Sequence, residues 1–250
     1  MSWLTRKKDF HSDTMTYDQY MRPMRAKWGL IGSLRKKFYA AQKAGDRKRM
    51  LEIGDDLAAW RDSEDRLREM IYTVAQYGCP PAVFWPVWLK WWSGVDLTGF
   101  WRTSLPNIFK FKGGLKQALK YFDEDQRAFY DTLPEAITVY RGCDRSHLDG
   151  VSWTTDFETA VYFQTGGRYG RPPDPIVATA TIRKCDIFYC CDSRNEKEIV
   201  CKPAQIDKVE KIDAKRLARI MKKRARRQAK AWAVLTKKAE KMRQQKQEAA

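Results

Sequence analysis

Gly150-Val151-Ser152-Trp153-Thr154-Thr155-Asp156 runs straight into Phe157-Glu158-Thr159-Ala160-Val161-Tyr162-Phe163. The β-branched and aromatic residues over 151–154 read as a short strand, and the segment after Asp156 reads as a short helix. Outward from this pair the texture stays the same. Further β-rich runs lie at 137–141, 176–182, 187–190, 198–201 and 206–212, separated by Gly, Pro and Asp turns. Many short strands around one helix predict an α+β domain of split β-sandwich type, starting near Pro134.

Upstream the pattern is helical. Tyr17, Tyr20, Met24, Trp28, Ile31, Leu34 and Phe38 follow helical spacing, and Pro23 marks a break or a helix start. A second helix is expected over 46–77, with Leu57, Trp60, Leu67, Ile71 and Val74 as its apolar stripe. Its mixed charges, such as Glu64 and Arg68 at i,i+4, read as plain solvent exposure, and Gly78-Cys79-Pro80-Pro81 stops it. Phe84, Trp85, Trp88, Trp91, Trp92, Phe100 and Trp101 crowd one short stretch. Such rings make a core or an interdomain seam more often than a platform for stacking bases. One further helix is expected over 114–130.

The 250 residues carry 48 Lys+Arg against 31 Asp+Glu, a net charge of +17. A charge of that size speaks to polyanionic partners, nucleic acid first. It is uneven: residues 214–250 hold 14 Lys/Arg and two Asp/Glu, or +12, leaving +5 for the other 213. Rich in Ala, Lys, Arg and Gln and free of Gly and Pro, this tail reads as one long helix. Leu217, Met221, Ala225, Trp232, Leu235, Ala239 and Met242 line an apolar face that Gln228 interrupts. Either the helix docks by that face with its basic side solvated, or Lys222, Lys223, Arg224, Arg226 and Arg227 meet phosphates. The expected organisation is a helical N-terminal domain over 1–133, a β-rich core over 134–213 and a basic C-terminal helix over 214–250.

Only His11 and His147 are present, which argues against a His-rich metal centre. The six cysteines include no Cys-x-x-Cys pair and read as reduced, mostly buried thiols. A zinc site from Cys185, Cys190, Cys201 and His147 has no familiar spacing, so no metal is expected. No run of 18 apolar residues exists and the basic start leads into no apolar stretch, so a cytoplasmic chain with no membrane partner is expected. Gly-x-Gly-x-x-Gly after a strand, the P-loop pattern and His-Glu-x-x-His are all missing. Cys143 and His147 read as a polar loop rather than a nucleophile and its base.

Three pieces of the β-rich segment carry chemistry. They are Val139-Tyr140-Arg141-Gly142 at a strand end, Ser152-Trp153-Thr154 with the helix after it, and Asp192-Ser193-Arg194-Asn195-Glu196-Lys197-Glu198-Ile199-Val200, a turn feeding a strand. Each alone has a plain reading: a surface arginine, a turn serine, a solvated charge run. In this order they resemble the ADP-ribosyltransferases of the Arg-Ser-Glu class, which transfer ADP-ribose from NAD. That class has an aromatic-Arg-Gly, a Ser-x-Ser/Thr strand with an aromatic-ended helix, and Glu-x-Glu ahead of an apolar strand. The resemblance covers residues 135–213, and Trp153 stands where the commonest form has a small residue.

The resemblance implies that Arg141 grips the NAD pyrophosphate in forked geometry and that Gly142 lets the backbone approach the ligand. It implies that Ser152 binds the nicotinamide-side ribose or steadies the catalytic glutamate, that Thr154 supports that strand at the cofactor, and that Phe163 or Tyr169 packs on the nicotinamide ring. The loop over 164–175 would close over the donor. Glu198 would stabilise the oxocarbenium-like sugar, and Glu196 would orient or deprotonate the acceptor. The implied protein is a mono-ADP-ribosyltransferase of bacterial or phage type, acting as a toxin, a phage-defence or a host-takeover effector, with an antitoxin or inhibitor among its conceivable partners. Glu-x-Glu in this class often goes with arginine acceptors, whereas the charge favours RNA or DNA. An inactive transferase-like protein that binds nucleic acid is the rival reading.

Overall fold

The computed structural model describes residues 17–61, 63–76, 78–95, 101–166, 172–192 and 195–248. Two compact units result, Met1–Asp96 and Leu97–Ala250.

In the first unit, α1 (Tyr17–Ala44) runs unbroken through Pro23, so that ring marks neither a break nor a start. Ile31, Leu34, Phe38 and Ala41 recur at helical spacing and are buried. Asp46 caps α2 (Arg47–Ala59) by accepting from the Arg49 backbone N–H at 2.9 Å. The single helix expected over 46–77 is three pieces: α2, α3 (Ser63–Glu69) and a π-helical turn (Met70–Val74). Arg66 holds the break open. Its guanidinium donates to the carbonyls of Ala58 and Arg61, both at 2.9 Å, and of Gly94, and lies 4.9 Å from the Trp91 ring. With the stripe interrupted, Trp60 is 53 % exposed while Leu57, Leu67, Ile71 and Val74 are buried. The Glu64 side chain lies outside the described residues.

Pro81 opens α4 (Pro81–Trp91), where its missing N–H is harmless. Phe84, Trp85, Trp88 and Trp92 are buried, with Phe84 stacked on Trp88 at 4.8 Å and Trp88 on Trp92 at 6.0 Å. These rings are core; Phe100 lies outside the described residues. Glu69 is buried between helices and accepts from Arg35 through two bonds of 2.7 Å, from Arg61 at 2.9 Å and from Thr73 at 2.8 Å. Burial alone would push its carboxyl up, but the bonds from Arg35, Thr73 and Arg61 outweigh that and hold it below the ordinary glutamate range.

The second unit begins well before Pro134, because three short helices pack with its sheet: α5 (Leu105–Phe111), α6 (Gly114–Ala118) and α7 (Glu124–Thr132). Phe109 of α5 lies 5.1 Å from the Phe188 ring and 5.5 Å from that of Tyr189. The helix expected over 114–130 is therefore α6 and α7, divided where Asp123 and Gln126 form a capping box. The sheet comprises β1 (Ala136–Asp144), β2 (Ser152–Thr154), β3 (Pro175–Arg183), β4 (Ile187–Cys191), β5 (Glu198–Cys201) and β6 (Lys208–Glu210). The helix α8 (Phe157–Gln164) follows β2, and α9 (Ala214–Glu248) ends the chain.

All pairings are antiparallel, in the order β4-β5-β2-β1-β3-β6. β1 pairs with β3 along its full length but meets β2 only at Tyr140 opposite Thr154. That one pair is a seam between two three-stranded halves. One face of the sheet buries Ile137, Val139, Trp153, Ala178, Ala180 and Ile199 under Leu115, Phe122, Phe129 and Tyr130. On the other, Val177 packs with Ala160 and Val161 of α8, with Ile212, and with Leu217 and Ile220 of α9. The fold is thus α+β, with a helical N-terminal unit and a long basic C-terminal helix.

Candidate active site

Successive side chains on a strand point to opposite faces. Trp153 therefore enters the core, where its indole N–H donates to the Gly150 carbonyl at 2.9 Å, and Ser152 and Thr154 face the other way. The register sets Thr154 opposite Glu198 and Ser152 opposite Val200. Ser152 Oγ donates to Glu198 Oε1 at 2.5 Å, and Cys191 Sγ lies 3.9 Å from Oε2. Glu198 is only 8 % exposed. A large residue between Ser152 and Thr154 is accommodated because it packs on the far face of the sheet.

Glu196 sits in the turn ahead of β5, between two residues of left-handed backbone, Asn195 at φ 54° and Lys197 at φ 47°. Neither is glycine, so each costs on the order of 1 kcal/mol or more and persists only if its surroundings dictate it. They do. The Lys197 N–H donates to Asp192 Oδ1 at 2.9 Å, the Thr155 N–H to the Lys197 carbonyl at 3.1 Å, and Thr154 Oγ1 to the Glu196 carbonyl at 2.6 Å. Thr154 in turn accepts from the Asp156 N–H at 2.9 Å. Asp156 caps α8 and takes a bond from Thr159 Oγ1 at 3.0 Å, and Thr159 accepts from Arg224 of α9 at 2.7 Å. An unbroken hydrogen-bonded chain thus joins the C-terminal helix to the turn that carries Glu196.

Arg141 donates through Nε to the His147 carbonyl at 3.1 Å and through Nη1 to the Ser152 carbonyl. Two of the five N–H groups of a guanidinium are thereby committed to backbone. A methyl group on Gly150 would fall 2.1 Å from this guanidinium. At Gly142 the close approach is made by the chain itself: a Cβ there would lie 1.7 Å from the Ala160 carbonyl oxygen and 2.6 Å from the Gln164 nitrogen. The seating of α8 by itself requires glycine at 142. Phe163 is half-buried at the end of α8, edge-on to Tyr162 at 5.6 Å. Tyr169 and part of the 164–175 loop lie outside the described residues.

Gln164 closes α8. It is 4 % exposed, and its Oε1 has no hydrogen-bond partner among the described residues. A buried carbonyl left without a donor costs about 1–3 kcal/mol, so Gln164 Oε1 is a group that a further N–H or O–H would satisfy. Sequence reasoning passed over it, as it passed over Asp192 and Asp156. Only Asp156 had a visible signal, as an Asx residue directly before a helix.

The docking face of α9 differs from the expected stripe. Leu217 and Ile220 pack on α8, Ala225 is exposed, and the side chains of Gln228, Trp232, Leu235, Ala239 and Met242 lie outside the described residues. The basic side itself docks as well. Lys223 Nζ and Arg227 Nη1 lie 2.8 and 2.9 Å from the Glu158 carboxylate, Arg224 covers the Tyr162 ring at 4.7 Å, and Arg216 pairs with Glu210 at 2.7 Å. Of the five-residue basic cluster, three cations are turned onto the protein, while Lys222 and Arg226 are exposed.

All six cysteines are free, and Cys185 alone is exposed. Burial pushes the Cys190 thiol up to about 12 and raises Cys201 as well, so both behave as core residues. Among the described residues no group of His, Cys, Asp or Glu could hold a metal ion, and no helix is long and apolar enough to cross a membrane. No family model, curated protein or solved structure matches the chain.

Proposed function

We propose that this chain is an NAD-dependent mono-ADP-ribosyltransferase of bacterial or phage type, whose catalytic unit is the second unit, of split β-sandwich type. The observation that carries the reading is the bond from Ser152 to the buried Glu198 carboxylate across adjacent strands, with Glu196 two residues upstream in a strained, multiply tethered turn. Strain of that kind concentrates where geometry serves chemistry. NAD is the donor substrate: its nicotinamide–ribose bond breaks, and the bonding electrons leave with the nicotinamide. Glu198, held by Ser152, stabilises the positive charge that develops on the sugar. The acceptor then bonds to the anomeric carbon, and Glu196 takes its proton. The donor set suits such a ligand: Arg141 retains N–H groups for phosphate, and Gln164 offers a buried carbonyl without a partner among the described residues.

The acceptor we propose is nucleic acid, RNA or DNA, in a protein acting as a toxin, defence or host-takeover effector in the cytoplasm. Arginine side chains of a protein are the alternative. The test is incubation of the full chain with labelled NAD and cell lysate, followed by nuclease or protease. Transfer that nuclease releases and that Glu198→Gln abolishes bears the proposal out. Protease-sensitive label moves the acceptor to protein. If the wild-type chain transfers nothing yet binds nucleic acid tightly, it is a transferase-like binding protein and the enzymatic reading falls.

A further inference from the structure

Charge outside α9 is as uneven as charge inside it. Residues 17–49 hold ten Lys/Arg against two Asp/Glu, a net +8, so everything else ahead of Ala214 is net acidic. Among the described side chains two of these cations are committed: Arg35 to the buried Glu69 and Arg49 to Glu52 at 2.8 Å. Lys36, Lys37, Lys43, Arg47 and Lys48 are exposed, and none has an ion-pair partner among the described residues. Lys36, Tyr39 and Lys43 follow one another at i, i+3 and i+7 and so share one face of α1. Tyr39 is 39 % exposed and Tyr72, in the π-helical turn, 50 %. The Tyr39 hydroxyl donates to the Tyr72 carbonyl at 3.1 Å, and its ring lies edge-on to buried Phe38 at 6.2 Å. This ring is held in place before any partner arrives.

We infer that this face of the N-terminal unit is a binding surface for single-stranded nucleic acid, with Tyr39 and Tyr72 as stacking rings and Lys36, Lys43 and the 47–48 pair as phosphate contacts. The surface does not involve α9 and stands whether or not the chain cleaves NAD. Unpaired exposed cations call for a polyanion. A ring pre-fixed beside them, that of Tyr39, suits unpaired bases, every one of which has a π-face. A lipid surface fits less well. The apolar face of α1, Ile31, Leu34, Phe38 and Ala41, is already buried in the protein core and has nothing left to insert.

The test is fluorescence anisotropy of a labelled 20-nucleotide oligo-uridylate with the full chain over a salt series, beside a duplex of equal length and phosphatidylserine vesicles. The single strand should bind most tightly. Tyr39→Ala should weaken it about 5- to 150-fold, whereas Tyr39→Phe, which keeps the ring, should stay near wild type. Lys36→Gln with Lys43→Gln should flatten the slope of log affinity against log salt by about 0.7 for each phosphate no longer neutralised. Circular dichroism melts confirm that the variants fold. Wild-type binding in the Tyr39→Ala chain, equal or tighter binding of duplex or vesicles, or no binding of the single strand by the full chain overturns the inference.

Discussion

Two stretches of this protein carry nearly all of its excess charge, and they differ in how much of it is committed to the protein's own side chains. In α9 four basic residues turn inward: Lys223 and Arg227 meet Glu158, Arg224 meets Thr159 and Tyr162, and Arg216 meets Glu210. Along α1 and the start of α2, exposed Lys36, Lys37, Lys43, Arg47 and Lys48 are left to solvent. Composition alone ranks α9 first, at +12 against +8. Counting engaged partners levels the ranking: among the described side chains Lys215, Arg219, Lys222, Arg226 and Lys230 of α9 are exposed without an ion-pair partner, as many as in α1 and α2. Net charge measures supply, and only the three-dimensional neighbours show how much of it is already committed.

Removing residues 215–250 is the strongest way to break that contrast. It strips Leu217 and Ile220 from Ala160, Val161 and Val177, and the second unit should no longer melt cooperatively. Deleting only 228–250 should leave the melting temperature within a few degrees, because the docked turns remain. If both truncations melt alike, α9 is not part of the fold.

Next in size is Glu69→Gln, which strands Arg35 and half-cancels the partner of buried Arg61. Breaking a buried pair of this kind costs about 3–5 kcal/mol, measurable by urea unfolding of the full chain. Because the folded carboxyl is held low, its contribution is present above the ordinary glutamate range and is lost as pH falls below about 4. The wild-type N-terminal transition should therefore move to lower urea on acidification, and Glu69→Gln should flatten that shift.

A smaller effect is expected from Glu158→Gln, since Lys223 and Arg227 are themselves well exposed. Each such pair contributes about 0–1 kcal/mol, and the loss should shrink further in 1 M salt. Smallest of all, replacing Lys36, Lys37, Lys43, Arg47 and Lys48 together by Gln should leave stability within about 0.5 kcal/mol per site. A large loss there would mean these cations have structural work after all.

The strands were legible because alternation and turn residues are local signals: Glu198–Cys201 is β5 to the residue, and 187–190 is β4 less one. The division of 46–77 was not legible. Arg66 grips the carbonyls of Ala58, Arg61 and Gly94, and no local pattern in the sequence announces a side chain that will reach back to its own helix end. Trp60 was misplaced for the same reason, since its face was set by a helix that does not continue. At the candidate site, Ser152 and Glu198 are 46 residues apart and could be paired only through resemblance. The left-handed backbone at Lys197 had no signal, because lysine has no preference for it. Asp192, Thr155 and Thr154 impose it.

The seam at Tyr140 and Thr154 gives Arg141 a second task. One ladder pair joins the two halves of the sheet, and just beyond it the Arg141 side chain reaches from β1 to the carbonyls of His147 and Ser152. The guanidinium is a rivet, closing by side chain a gap the backbone leaves open. Replacing Arg141 would loosen the rivet and, on the proposed function, remove a group assigned to phosphate in a single stroke. The distance between β1 and the Ser152–Glu198 pair is thus governed by the same group that a bound pyrophosphate would recruit, so donor binding and closure of the sheet would draw on one set of N–H groups.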